Sequence, residues 1–201
     1  CNGVTYGNVL SPSVIENTSG AEVKYVYYED VDGVKGSRLS AAPENAGVYW
    51  VEASTDATDN YNAAISKAVK LEILKADYDM SSVSFADATF DYDATEHNVA
   101  IVGLPQGVSV AYENNSQINA GNYTVTAKFT GDTNHNQLPE MTATLVINKI
   151  TATVTAKPAT KTVGETDPVL KYEVVGLLGQ DKLTGALARQ SGETEGEYDI
   201  T

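Results

Sequence analysis

One cysteine, one tryptophan, two methionines, two histidines and three phenylalanines occur in 201 residues. With Cys1 alone, no disulfide can form within the chain and no thiolate metal cluster can be built. With His97 and His135 as the only imidazoles, a serine or cysteine triad would have to use one of the two. No G-x-S-x-G, H-E-x-x-H, C-x-x-C or phosphate-loop pattern is present. Basic residues are scarce, 13 Lys+Arg against 27 Asp+Glu, for a formal net charge of -14. Such a surface repels polyphosphate and anionic headgroups, which argues against nucleic acid as a partner. The apolar runs fall far short of a membrane span, so no membrane insertion is expected in this segment. Cys1-Asn2-Gly3 is neither basic nor apolar and carries no export signal.

What is abundant is tyrosine, 12 residues, within a chain that is 42% hydrophobic. That is enough to build cores and too much for a disordered tail. The tyrosines expose an internal repeat. Ala46-Gly47-Val48-Tyr49-Trp50-Val51 returns as Ala120-Gly121-Asn122-Tyr123-Thr124-Val125 and again as Glu195-Gly196-Glu197-Tyr198-Asp199-Ile200. Tyr49 to Tyr123 is 74 residues and Tyr123 to Tyr198 is 75. Two further markers keep this register. Asp59-Asn60-Tyr61-Asn62 returns as Thr133-Asn134-His135-Asn136, and the alternation Val69, Leu71, Ile73 returns as Ala143, Leu145, Ile147.

Period-2 alternation means strands with one buried face. Tyr49, Val51 and Ala53 point inward on this reading, with Trp50 and Glu52 outward. Further strands are expected over 23–28, 98–102, 108–112 and 169–175, separated by Gly, Pro, Asn and Asp clusters. Residues 61–70 look helical locally, but the repeat register makes them a loop entering a strand. The expected fold is all-β, tandem small Ig-like β-sandwich modules of five or six strands, with helix-poor β-grasp-like modules as the alternative. The expected modules are 1–74, lacking its first strand, 75–148, complete, and 149–201, truncated before its last strand. Lys75 and Lys149 mark equivalent boundaries. Neither boundary contains a Gly/Ser or Pro-rich linker, which predicts a stiff string of modules.

Candidate chemistry is sparse. Carboxylates are plentiful enough for a glycosidase-like pair, but modules this small rarely supply the cleft such a pair needs. Glu29-Asp30-Val31-Asp32-Gly33 sets the hard oxygens of Asp30 and Asp32 beside a flexible glycine, a partial calcium pattern without EF-hand spacing or its terminal Glu. The preferred reading is an acidic hairpin loop, with no metal or cofactor assigned. Tyr49, Tyr123 and Tyr198 read as core residues at strand starts, like the tyrosine corner of Ig sandwiches. Trp50 differs, because its repeat equivalents Thr124 and Asp199 suit solvent. Tyr28 likewise leaves the inward face of its strand. Trp50 and Tyr28 are therefore the candidate ligand-binding residues. The competing reading has Trp50 covered from within by a loop over 29–45 or packed on a neighbouring module. His135 stands at the repeat position of Tyr61 and reads as a turn or packing residue. His97 reads as solvated.

The stretches Val4-Thr5-Tyr6-Gly7 and Ala46-Gly47-Val48-Tyr49 resemble the Ig-like repeats of large bacterial surface proteins. Phe90-Asp91-Tyr92-Asp93-Ala94 with Val102-Gly103-Leu104-Pro105 resembles the repeats named for a Tyr-Asp-Gly motif, with Ala94 where that glycine is expected. Thr162-Val163-Gly164, Asp167-Pro168, Gly179-Gln180-Asp181 and Gly196-Glu197-Tyr198 are similar to the MBG domains of the Tyr-Gly-x type, with Val163 at that tyrosine. These resemblances imply an extracellular bacterial surface or secreted location and a non-catalytic stalk or adhesin role. The outward aromatics Trp50 and Tyr28 point to a glycan or a host surface protein as the expected partner. Head-to-tail self-association through open sheet edges is a further expectation.

Overall fold

The computed structural model describes residues 3–201; Cys1 lies outside the described residues. The described residues form twelve strands and no helix, in several sheets, as small β-sandwich modules require. Two compact units divide the chain. One runs to Ser84 and adds Ile101–Ala111 and Ala127–Glu140; the other comprises Phe85–Ala100, Tyr112–Thr126 and Met141–Thr201.

In the first repeat, β1 (Val4–Thr5), β2 (Val23–Val31), β3 (Val34–Arg38), β4 (Gly47–Thr55), β5 (Ala64–Ile65) and β6 (Val69–Leu74) make one six-stranded sheet. Its order is β1-β6-β4-β2-β3, with β5 added beside β4. The first and last strands run parallel and the others antiparallel. The inward face carries Val51, Leu71 and Ile73, each no more than 5% exposed. Val69, expected inward, sits at the first position of its strand and is 48% exposed. The segment 29–45 is not one loop. Val31 pairs with Val34 around Asp32 and Gly33, both at positive φ (50° and 84°), so the chain doubles back at once. Asp-Gly at the centre of a two-residue hairpin supplies this geometry. As the repeat register requires, 61–70 holds no helix and leads through β5 into β6.

In the middle repeat, β7 (Ala88–Asp91), β8 (Ser109–Glu113), β9 (Gly121–Thr130) and β10 (Met141–Asn148) form a sheet in the order β7-β10-β9-β8. Here too the opening strand lies parallel to the closing one, Ala88 against Leu145 through Asp91 against Asn148. Four strands is fewer than the five or six expected, because residues near 84, 97–102 and 117 form a second layer through isolated bridges instead of full ladders. Val99 in that layer packs on Val125, Ala143 and Leu145 of the sheet, with Phe85, Phe90 and Tyr112 closing the cluster. A side chain replaces a strand in satisfying the buried backbone at Val99. Asn115 accepts its N–H at 3.0 Å and donates to its C=O at 2.8 Å.

The third repeat pairs β11 (Thr153–Ala156) with β12 (Tyr172–Val175), antiparallel. Its Gly-x-Tyr segment forms no extended strand and touches its neighbour at one bridge, Arg189 with Ile200.

Candidate functional site

The three repeat tyrosines share one construction. Tyr49 donates its hydroxyl to Asn45 C=O at 3.0 Å, Tyr123 to Asn119 C=O at 2.8 Å and Tyr198 to Thr194 C=O at 2.8 Å. Each bond reaches four residues upstream, the tyrosine corner anticipated from the repeat. In the middle repeat the corner also accounts for the glycine two residues earlier. A methyl group on Gly121 would stand 2.9 Å from the Tyr123 ring, so the ring needs the bare backbone. These tyrosines therefore have their polar ends committed to architecture.

On the outward face of the first sheet, Tyr28 and Trp50 lie directly opposite each other on β2 and β4. Both are half-buried. The Trp50 indole N–H donates to Asp30 Oδ1 at 2.7 Å, and Lys70 Nζ stands 3.8 Å from the same oxygen and 5.4 Å from the indole centre. Tyr28 repeats the scheme. Its hydroxyl donates to Glu52 Oε2 at 2.7 Å, Lys35 Nζ donates to Glu52 Oε1 at 2.6 Å, and that ammonium lies 4.4 Å from the tyrosine ring. The hydrogen bonds from Lys35 and then Tyr28 hold the Glu52 carboxyl below its ordinary range. The bond to Glu52 in turn pushes the Tyr28 phenol up. The face is thus two parallel groups, each an aromatic ring tied to a carboxylate and flanked by a lysine. Sequence reading singled out Trp50 and Tyr28 but missed Asp30, Glu52, Lys35 and Lys70 as their partners. The Asp-Gly turn that folds β3 back onto β2 was the signal that could have placed Lys35.

Asp30 uses its other oxygen to accept Gly33 N–H at 3.0 Å, which braces the hairpin, and Asp32 occupies the turn itself. Of the two calcium candidates, Asp30 thus lies near the end of β2 and Asp32 in the turn that follows. Among the described residues, no three His, Cys, Asp or Glu side chains gather as metal ligands.

Both histidines pack on rings. His97 stacks on Phe90 with centroids 4.2 Å apart and pairs with Asp93 at 3.0 Å. Its side chain is 13% exposed, so the solvated reading is corrected: the ring closes the edge of the β7 layer. Thr95 donates its hydroxyl to Asp93 rather than to His97, the wrong order for an activated nucleophile. His135 stacks on Tyr78 at 4.1 Å, meets Tyr6 edge-on at 5.4 Å and pairs with Asp132 at 2.8 Å, the packing role expected of it. Asp132 is held below its usual range, chiefly by that bond.

A groove of about 750 Å³ in the third repeat is lined by Lys161, Val163, Leu170, Arg189, Tyr198 and Ile200 among others. Its two cations are both ion-paired. Lys161 bridges Asp167 at 2.9 Å and Glu193 at 2.8 Å, and Arg189 holds the same two carboxylates.

Residues 152–201 match the family described as MBG domain (YGX type). That family consists of repeat modules and is not a known enzyme family. The match falls on the segment singled out by Asp167-Pro168, Gly179-Gln180-Asp181 and Gly196-Glu197-Tyr198. No curated protein matches the chain.

Proposed function

We propose that this chain is a non-catalytic repeat segment of a bacterial surface protein, serving outside the cell as a stalk or adhesin module. One observation carries the reading: the same tyrosine corner recurs in all three repeats, and its third copy lies inside the MBG-matched segment. A corner that spends its tyrosines on architecture fits a module whose task is to hold a shape. The histidines support the absence of catalysis, since each is stacked on an aromatic ring and bound to an aspartate. The modules we propose are 1–74, 75–148 and 149–201. The test is antibody labelling of the producing cells. Labelling of intact cells is expected, and labelling only after lysis would overturn the reading.

A second reading, recognition of a glycan or a host surface protein, is favoured by the direct opposition of Tyr28 and Trp50 on the outward face. Aromatic rings with satisfied polar ends offer flat apolar surface to a sugar. A glycan array should then lose its signal on Trp50→Ala while the circular dichroism of the chain is kept. Head-to-tail association through sheet edges is the self-partner we propose, read by sedimentation over a concentration series.

A further inference from the structure

Between the first and middle repeats the chain has almost no spacer. β6 ends at Leu74, and Ala76 already bridges His135. Modules joined so briefly still move unless a contact holds them. The contact here comes from the loop over 132–136. Asn134 accepts Ala46 N–H on Oδ1 at 2.9 Å and donates from Nδ2 to Asn45 Oδ1 at 3.0 Å. His135 fills the angle between Tyr78 of its own repeat and Tyr6 of the first. The loop is itself braced from behind. Ala76 N–H donates to Asn134 C=O at 3.0 Å, Asn136 N–H to Ala76 C=O at 2.8 Å and Asn136 Nδ2 to Asp77 at 2.7 Å. Tyr78 adds its hydroxyl, which accepts Asp132 N–H at 2.8 Å.

The repeat supplies an internal comparison. Asn60 and Tyr61 occupy the positions of Asn134 and His135 one repeat earlier, in a loop closed by Thr58 N–H to Tyr61 C=O at 2.8 Å. There Asn60 is exposed and Tyr61 is 51% exposed, whereas Asn134 and His135 are half-buried. Asn134 rests on the Asn45–Ala46 corner of the preceding repeat, and His135 on that repeat's Tyr6 and on Tyr78.

We propose that the 132–136 loop is a recognition latch whose partner is the Asn45–Ala46 corner and Tyr6 of the preceding repeat, and that this contact locks the two repeats together. The loop carries an amide to read one backbone N–H and one side-chain amide, and a flat ring to fill a gap between tyrosines. Its partner is the Asn45-Ala46-Gly47-Val48-Tyr49 corner, a pattern that returns at Asn119-Ala120-Gly121-Asn122-Tyr123. Asn134→Ala removes both bonds to the corner and leaves the loop's backbone bonds to Ala76.

In the full chain, hydrogen exchange at the Ala46 amide should speed up roughly tenfold in Asn134→Ala, the factor for one net hydrogen bond. With Cys1 replaced by serine and spin labels at Ser37 and Gln106, the inter-label distance distribution should roughly double in width as the default inter-module motion returns. Tyr61→Ala, which alters the exposed counterpart, should change neither. Asn45→Ala in the Asn134→Ala background should add nothing to the widening, since both act on one contact. Unchanged Ala46 exchange and label distances in Asn134→Ala would overturn the proposal, as would full additivity of the Asn45 and Asn134 substitutions.

Discussion

The middle repeat and residues 152–201 both carry a tyrosine corner, yet different forces hold them. In the middle repeat, Val125 and Leu145 have no measurable exposure, and Val99 and Ala143 are at most 5% exposed around them. The third repeat has no buried residue among 152–201. In place of a dry core it sets Arg189 over the Tyr198 ring, 5.3 Å from its centre, and ties Lys161 and Arg189 to Asp167 and Glu193. Apolar burial carries no titrating group and no Coulomb attraction to screen, whereas exposed ion pairs are screened and titrated. Modules built on one corner motif therefore differ in what should unfold them.

Leu145→Ala should sharpen the contrast most, because it opens a cavity at the centre of the buried cluster. A loss of about 4 kcal/mol is expected for a fully buried leucine. Leu170→Ala, at a half-buried position in the third repeat, should lose about 1 kcal/mol. Denaturant melts of the two variants compare them directly, and equal losses would break the distinction.

Acid should act in the opposite sense. Hydrogen bonds from Lys161 and then Arg189 hold Asp167 and Glu193 below their ordinary carboxylate range. A carboxylate depressed in the folded state stabilises fully above its unfolded value, about 4, and that contribution fades as pH falls through the folded value. Exchange across 152–201 should therefore rise between about pH 5 and pH 2 before it rises at Val125 or Leu145. Raising salt to about 1 M, where screening acts within about 3 Å, should loosen the same segment at neutral pH. Simultaneous loss of protection in both regions would count against the division.

Ala94 provides the smallest effect. It holds φ at 63°, a left-handed conformation that costs a non-glycine residue about 1 kcal/mol. The Tyr-Asp-Gly resemblance expects glycine there. Ala94→Gly should raise the thermal midpoint of the middle repeat by a few degrees, and a lowered midpoint would mean that the Ala94 methyl packs productively near Gly179.

Much of the architecture was legible in the residues. The Gly-x-Tyr register located three corners; the ring packs on the glycine two positions earlier at Tyr49 and Tyr123, whereas the Tyr198 ring packs on Gly192 instead. Alternation located β4, β6, β9 and β10, since a strand with one dry face must alternate. The second layer of the middle repeat was not legible as strands. Its backbone is satisfied by the Asn115 side chain, and no propensity pattern announces a side chain standing in for a ladder. The Trp50 face was half legible. The repeat showed that Trp50 departs from Thr124 and Asp199, but the indole's partner Asp30 lies 20 residues away and meets it only through strand pairing.

By itself the sequence determined the all-β class, the repeat length, the inward faces and the corners, because these follow from local periodicity and from contacts within a few residues. Tertiary structure alone decided which polar groups the outward aromatics bind, how His97 is covered, and that Asn134 reaches a corner 88 residues earlier in the chain. Those outcomes depend on which strands become neighbours and in what register. That is a property of the assembled fold, where strand pairing and loop packing bring together groups distant in sequence.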